Sequence, residues 1–253
     1  MKRRLVLASA VLVALGGCTS SPSAAGSFDT KTPASAKPSP SGPDAQQELI
    51  AALKKTHANS YKFSLKADLP DKAKVQASGA FDPRQKRFSL TEKESGNGGL
   101  GNGQSIVVGT DYFNRQKTSE QWVHLDLKRV KPSSSFADVN TKDPNGLGKF
   151  ITTVHSVQPD GQHKYRGTFD PAPTGDGEPF APIGAPSVIA FSVGTESIFT
   201  ATTNDGGWVT SISLEMYDEK TKLVMTTTLS NHGKSTGVAK PSSYDEADDF
   251  YYK

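Results

Sequence analysis

Hydrophobic and polar positions along this chain follow two rhythms, and the change from one to the other marks out its elements. After Asp44, the apolar positions Leu49, Ile50 and Leu53, followed by Thr56 or His57, recur at helical spacing. Asp44 is placed to cap, and Glu48 sits in the first turn or just past it. This predicts an amphipathic helix of about three to four turns, ending near Asn59. The period then becomes two. Tyr61, Phe63, Leu65, Ala67 and Leu69 alternate with Lys62, Ser64, Lys66 and Asp68, and Pro70-Asp71 turns the chain. Val75, Ala77, Gly79 and Phe81 keep the rhythm, and Asp82-Pro83-Arg84 turns it into the strand Arg87 to Leu90. Gly96 to Gly103 reads as a mobile connection, with further strands from Gln104 to Tyr112 and from Gln121 to Leu127. Consecutive short strands joined by tight turns predict an antiparallel meander.

A second helix is expected between Asp143-Pro144 and Val157, where Leu147, Phe150, Ile151, Val154 and Val157 share a face. Gly146, Gly148 and two adjacent threonines lower its propensity. Lys164 to Phe169 reads as a strand and Asp170 to Pro186 as a Pro/Gly-rich loop. Val188 to Val193, Ser197 to Thr203, Trp208 to Tyr217 and Lys222 to Leu229 supply the remaining strands. The order predicts an α+β fold in which a large antiparallel sheet of about nine to eleven strands curls or splits, its apolar face covered by helices. The concave side is then a filled core or a ligand cavity, and the pattern leaves both open.

Ahead of these elements, Lys2-Arg3-Arg4 precedes an apolar run from Leu5 to Leu15 that ends in Leu15-Gly16-Gly17-Cys18, with the chain's one cysteine. A basic start, an apolar stretch and small residues are the parts of a secretory signal, and a cysteine directly after them makes it a lipobox. The motif implies a diacylglycerol on the Cys18 thiol, cleavage between Gly17 and Cys18, and an acylated new amino terminus. The run is too short to span a bilayer, which takes about 20 apolar residues. Two acyl chains anchor stably, at about 0.8 kcal/mol per buried methylene. The expectation is a signal peptide at residues 1–17 and a lipoprotein held on the membrane outside the cytoplasm. Residues 18–43 then form the acylated cysteine and a disordered tether of Ser, Pro, Ala and Thr, with Phe28 its one large apolar residue. Residues 44–253 read as a single domain with an acidic C-terminal tail.

Charge adds an exclusion. The chain holds 29 basic and 26 acidic residues, and the first 17 contain Lys2, Arg3, Arg4 and no acid, so residues 18–253 carry 26 of each. Net charge therefore makes no case for a nucleic-acid partner. With Cys18 acylated, no thiol remains for a disulfide, a metal or nucleophilic attack. His57, His124, His155, His163 and His232 are scattered without metal-ligand spacing and read as surface or sheet-edge residues. No Gly-x-Ser-x-Gly elbow occurs, and the glycine-rich Asn97 to Gly103 lacks the Gly-Lys-Ser/Thr ending of a phosphate loop. Asp245, Glu246, Asp248 and Asp249 lack the alternating pattern of a calcium loop and read as a solvated acidic tail. The expectation is a non-enzymatic protein with no metal, no cofactor and no catalytic residue.

Several short stretches together resemble the actinobacterial LppX/LprG-type lipoproteins, relatives of the LolA and LolB carriers. They are the lipobox and tether, Ser60 to Leu65 after the first helix, Gly79-Ala80-Phe81-Asp82, Tyr112-Phe113, Gln121 to Asp126, the Asp143-Pro144 helix, Tyr165 to Asp170, and Thr228 to Gly233 leading to Val238 through Pro241. The resemblance implies a LolA-like half-open barrel with two or three helices over its concave face. It also implies an apolar cavity that takes acyl chains of a lipid or lipoglycan and assists its transport across the cell envelope. Phe63, Phe81, Phe88, Tyr112, Trp122, Leu147, Phe150, Ile151, Val154 and Leu214 are the candidate lining. The same stripes would equally fill a core, and the resemblance tilts the choice toward a cavity. The chain departs from the pattern at the Thr-rich Phe199 to Thr203, the long loop from Asp170 and the tail from Tyr244 to Tyr252. The other reading is a non-enzymatic sensor or interaction module with an envelope protein as partner, recognised by that loop and tail.

Overall fold

Leu49, Ala52, Leu53 and Thr56 lie on the buried side of helix α1 (Ala45–His57), the face its periodicity predicts. Asp44 caps it by accepting from the Gln46 amide at 3.2 Å, and Lys54, Lys55 and His57 suit the negative end of its dipole. The computed structural model describes residues 44–69, 72–96, 102–134, 136, 139–171, 183, 197–217 and 222–252. The expected signal peptide, Cys18, the tether, the strand Val188 to Val193 and most of the loops at Gly96 to Gly103 and Asp170 to Pro186 lie outside the described residues.

After α1 come six strands: β1 (Tyr61–Asp68), β2 (Lys74–Asp82), β3 (Arg87–Ser95), β4 (Gly103–Val108), β5 (Asp111–Arg115) and β6 (Trp122–Asp126). Helix α2 (Leu147–Thr153) leads into β7 (Val154–Pro159), β8 (Lys164–Phe169), β9 (Ser197–Thr203), β10 (Val209–Tyr217) and β11 (Lys222–Ser230), and β12 (Tyr244–Glu246) closes the sequence. They form one open sheet in the order β12-β6-β5-β4-β3-β2-β1-β11-β10-β9-β8-β7. Each half is a meander, and the halves meet where β1 pairs antiparallel with β11. Among the described strands, only β12 runs parallel to its neighbour, β6. The fold is α+β, and the sheet is not closed into a barrel.

Two elements differ from the sequence reading. The strand expected from Gln104 to Tyr112 is the hairpin β4-β5, folded at Gly109, whose φ of +67° suits a tight reversal. The helix expected to run to Val157 stops at Thr153, and Val154 and Val157 belong to β7. Thr152 and Thr153 turn their hydroxyls back onto the carbonyls of Lys149 and Phe150, which competes with helix continuation. The β-branched Val154 then gains a ladder partner in Phe169.

On the covered face, β1 contributes Tyr61, Phe63, Leu65 and Ala67 to one apolar cluster with Leu49 and Leu53 of α1, Leu147 and Phe150 of α2, and Leu214 and Met225 across the seam. Phe63 and Phe199 lie flat across their neighbours. A Cβ on Gly79 would sit 2.6 Å from the Phe63 ring and 1.9 Å from the Ser89 carbonyl oxygen. One on Gly167 would sit 2.7 Å from Phe199 and 2.0 Å from the Ser156 oxygen. Both glycines are there for close approach rather than for a turn.

The acidic residues of the C-terminal tail, Asp245, Glu246, Asp248 and Asp249, are exposed as expected, but the segment that leads to them is tied to the sheet. After β11, residues 231–243 cross the turns of the first meander. The Gly233 amide donates to the Ser60 carbonyl at 2.8 Å, Arg87 Nη1 to the Val238 carbonyl at 2.8 Å, and Lys240 Nζ meets Asp111 Oδ2 at 2.8 Å. Gln121 Nε2 donates to Ser243 Oγ at 2.6 Å, and the chain then adds β12 to the sheet. Burial opposes ionisation of Asp111, but hydrogen bonds and charge from Lys240 and His124 outweigh it and hold the carboxyl below the usual range. Where this crossing begins, His232 Nε2 lies 2.8 Å from the Val209 carbonyl oxygen, and its ring stacks on Trp208 at 5.2 Å.

Burial lowers the pKa of His232 despite that carbonyl, so the folded state favours the neutral ring. Its contribution to stability is present above about pH 6.5, the ordinary histidine value, and is lost as pH falls through the lowered folded value. Thermal melts at pH 7.5 and 5 will show a drop that His232→Gln makes smaller. Gly79→Val will cost about 1–3 kcal/mol in urea unfolding, because Ser89 is backbone and cannot move aside as a side chain would.

Candidate functional site

Six of the ten candidate lining residues, Phe63, Phe81, Phe88, Leu147, Phe150 and Leu214, are buried together in the apolar cluster, and Tyr112, Ile151 and Val154 pack half-buried against it. Their rings meet one another. Phe150 stands edge-on to Phe169 and Phe199, each at 5.2 Å, and Phe63 stacks on Phe88 at 6.2 Å. At these positions the covered face is packed side chain against side chain. Trp122 is a correction. Tyr112 pairs with Leu125, so Trp122, three positions earlier on β6, points to the opposite face of the sheet. There Arg115 covers its ring at 4.4 Å, and Tyr244 is its ladder partner.

The seam between α1 and the turns β7-β8 and β9-β10 opens into a cleft of about 400 Å³. Ala51 and Ala52 line one wall, where small side chains leave room, and Tyr165 and Thr203 line the strand side. Ala52 and Tyr165 also belong to the buried apolar cluster, so the floor of the cleft is the edge of the core. Around them stand charged groups. Tyr165 donates its hydroxyl to Glu48 Oε2 at 3.2 Å, and His163 Nε2 lies 3.1 Å from Asp205 Oδ1. Burial first, and the Glu48 charge with it, push the Tyr165 phenol above its ordinary value, against a hydrogen bond with Thr203. Lys55 closes the rim by bonding the Gly206 carbonyl and lying 4.4 Å over the Trp208 ring.

This arrangement is suited to binding. It sets acceptors at Glu48 and Asp205 and a cation at Lys55 around an apolar floor. None of the ten candidate residues lines it. The reading of the sequence placed Glu48 only as a first-turn residue and His163 as scattered. Gly161 and Asn204-Asp205-Gly206-Gly207 announce the two turns, but only pairing of β8 with β9 brings those turns beside α1. Among the described residues, no group of three or more His, Cys, Asp or Glu side chains could hold a metal ion. No described helix is long and apolar enough to cross a membrane.

A second cluster escaped the sequence reading altogether. Phe113 is fully buried on the face opposite Tyr112, stacked on His124 at 4.9 Å and edge-on to Tyr244 at 5.0 Å. The two ring nitrogens of His124 lie 2.9 Å from Asp111 Oδ1 and 2.8 Å from Glu246 Oε2. His124 is therefore buried, where a surface or edge position was expected. The signal for it was that Ile106-Val107, Tyr112-Phe113 and His124-Leu125 are apolar or aromatic on both faces of the sheet.

No protein-family model matches the sequence, and no curated protein matches it. Among solved structures, an uncharacterized conserved protein from Thermus thermophilus is similar at 9% identity and a TM-score of 0.42, over 81% of this chain and 99% of that one. A LolA superfamily protein from Nitrosomonas europaea is similar at 10% identity and a TM-score of 0.25, over 83% of this chain and 97% of that one. A dehydratase domain of the rifamycin polyketide synthase gives 11% identity and a TM-score of 0.22, over 73% of this chain and 80% of that one. Likenesses at these TM-scores are too loose to assign a fold family.

Proposed function

We propose that this protein is a lipoprotein, anchored outside the cytoplasm through acylated Cys18, which binds acyl chains of a lipid or lipoglycan under its helices and assists transport across the envelope. In this reading the sheet is a LolA-like half-barrel and the helices are its lid. The observation that carries it is the construction of α2. This seven-residue helix follows Gly146, which lies in the left-handed region with no side-chain cap there, and its Phe150 stands edge-on to the Phe169 and Phe199 rings. The Asp143 carboxylate holds its first turn, accepting from the amides of Gly148 at 2.9 Å and Lys149 at 2.8 Å.

α2 holds Leu147 and Phe150 in the core, so it leaves the sheet only where a ligand supplies equivalent apolar surface. Acyl chains exchange bilayer for protein contacts at roughly 25 cal/mol per Å², so a chain under α2 compensates the contacts that α2 gives up. The cleft beside α1, with its polar rim and a floor continuous with the core, suits the polar end of such a molecule.

Mass spectrometry of organic extracts from the protein, expressed without its acyl anchor in a related host, is the test. A lipid recovered in stoichiometric amount is the expected result, and a clean extract would sink the reading. Ile151→Trp, which enlarges a half-buried side chain on the lid, should abolish uptake while circular dichroism stays unchanged. Unaltered uptake would remove α2 from the path.

A further inference from the structure

The outer edge of β6 is covered by very little. β12 pairs with it over Tyr244–Glu246, and the Ala247 amide extends the ladder by donating to the His124 carbonyl at 2.8 Å. All three β12 residues are exposed, and in residues 239–252 Ala247 alone is buried. What holds this segment is polar and aromatic. Glu246 meets His124, and Tyr244 lies against Phe113 and His124. Tyr252 accepts from the Asp126 amide at 3.1 Å and lies under the Arg129 guanidinium at 4.5 Å. The Lys131 amide donates to the Tyr251 carbonyl at 3.0 Å, and its ammonium sits 4.0 Å over Phe250, a ring that is 71% exposed.

The receiving surface is more built than its occupant. Beneath β12 it offers the outer edge of a strand, an aromatic seat over Phe113, an imidazole placed for a carboxylate, and a basic turn of Lys128, Arg129 and Lys131. Asp245, Glu246, Asp248 and Asp249 of the tail match that turn in charge. Pairing of three residues in parallel register is a weak hold, and exposed ionic contacts are weakened further by salt. Residues 231–243, in contrast, are tied to their own sheet at Ser60, Arg87, Asp111 and Gln121, so exchange of tails between copies would have to break those ties too.

We propose that the outer edge of β6, with the basic turn beside it, is a docking site for an extended acidic and aromatic segment of a partner protein, and that residues 244–252 are a displaceable stand-in. The partner segment adds a strand to the edge. It carries an aromatic residue for the Phe113 seat, a carboxylate two positions later for His124, and further aromatic side chains for Arg129 and Lys131. This site lies on the face opposite the apolar cluster and does not rest on the lipid reading.

The probe is a fluorescein-labelled peptide with the sequence of residues 242–252, titrated by anisotropy into the full chain and into the full chain carrying Tyr244→Ala and Glu246→Ala. The double variant should bind at least about tenfold tighter than the unaltered chain, and adding Arg129→Ala should weaken it about two- to fivefold, the effect of one lost exposed cation–π contact. A variant with unchanged circular dichroism and flat anisotropy would overturn the proposal. Should the variant fail to fold, hydrogen exchange on the unaltered chain decides. Amides of residues 244–247 exchanging far faster than those of β5 and β6 support a displaceable strand, and equal protection overturns it. A doubling of mass in the double variant alone, by sedimentation, would make a second copy the occupant and overturn the choice of partner.

Discussion

The pairing of β1 with β11 is the constraint on which the rest of the molecule depends. Every other antiparallel neighbour pair in the sheet follows in chain order, and this ladder alone joins the two meanders, from Lys62 opposite Ser230 to Asp68 opposite Val224. Its register is set by alternation. Tyr61, Phe63, Leu65 and Ala67 face the core, and the residues between them face water. On β11, Leu223, Met225, Thr227 and Leu229 do the same. A slip of one residue would bury Lys62 and Lys66 and expose the phenylalanine and leucine, so the seam has one favourable register. Thr227, fully buried on that seam, donates its hydroxyl to the Ile183 carbonyl, which satisfies a polar group that would otherwise be costly there.

From that seam the two wings develop differently. The wing of β7 to β11 keeps one covered face, with α1 and α2 over it. α1 is locked to it where the Val209 amide donates to Thr56 Oγ1 at 3.1 Å and Lys55 reaches the β9-β10 turn. The wing of β4 to β6 carries large side chains on both faces and so needs a second cover. The crossing of residues 231–243 and the short β12 supply it, sealing Phe113 and capping what would be an open edge with an acidic strand. The parallel direction of β12 follows from that path, since the chain reaches β6 from β11 by a crossover and not by a hairpin.

The two faces thereby divide the proposed roles. Under the helices, aromatic rings meet edge to face and leave an acyl chain a place only where α2 gives way. On the other side, a lightly held strand covers a surface whose charge and ring positions are already set. The two covers differ in how they are held: α2 buries Leu147 and Phe150 in the core, whereas all three residues of β12 are exposed, and an element with few buried contacts opens at lower free energy.

Much of the fold was legible because its signals are local. The helix from Asp44, the alternation through β1 to β3, the turn residues and the α+β class all follow from periodicity and caps within a few residues. Competition was not legible: α2 stops at Thr153 because β8 offers Val154 a partner, and the hairpin β4-β5 hides inside one continuous apolar stretch. Of the candidate lining, the residues on long alternating strands and on α2 do meet in one cluster, whereas Trp122 belongs to the other face. The cleft of Glu48, Lys55, His163 and Asp205 and the seat of Phe113, His124 and Glu246 unite residues about 120 or more positions apart. The sequence by itself determined which side chains share a face, because a strand's period of two and a helix's period of 3.6 are properties of the local backbone. Which faces meet was decided only by the tertiary structure, because strand order and the path of the C-terminal segment depend on long-range pairings that no local pattern encodes.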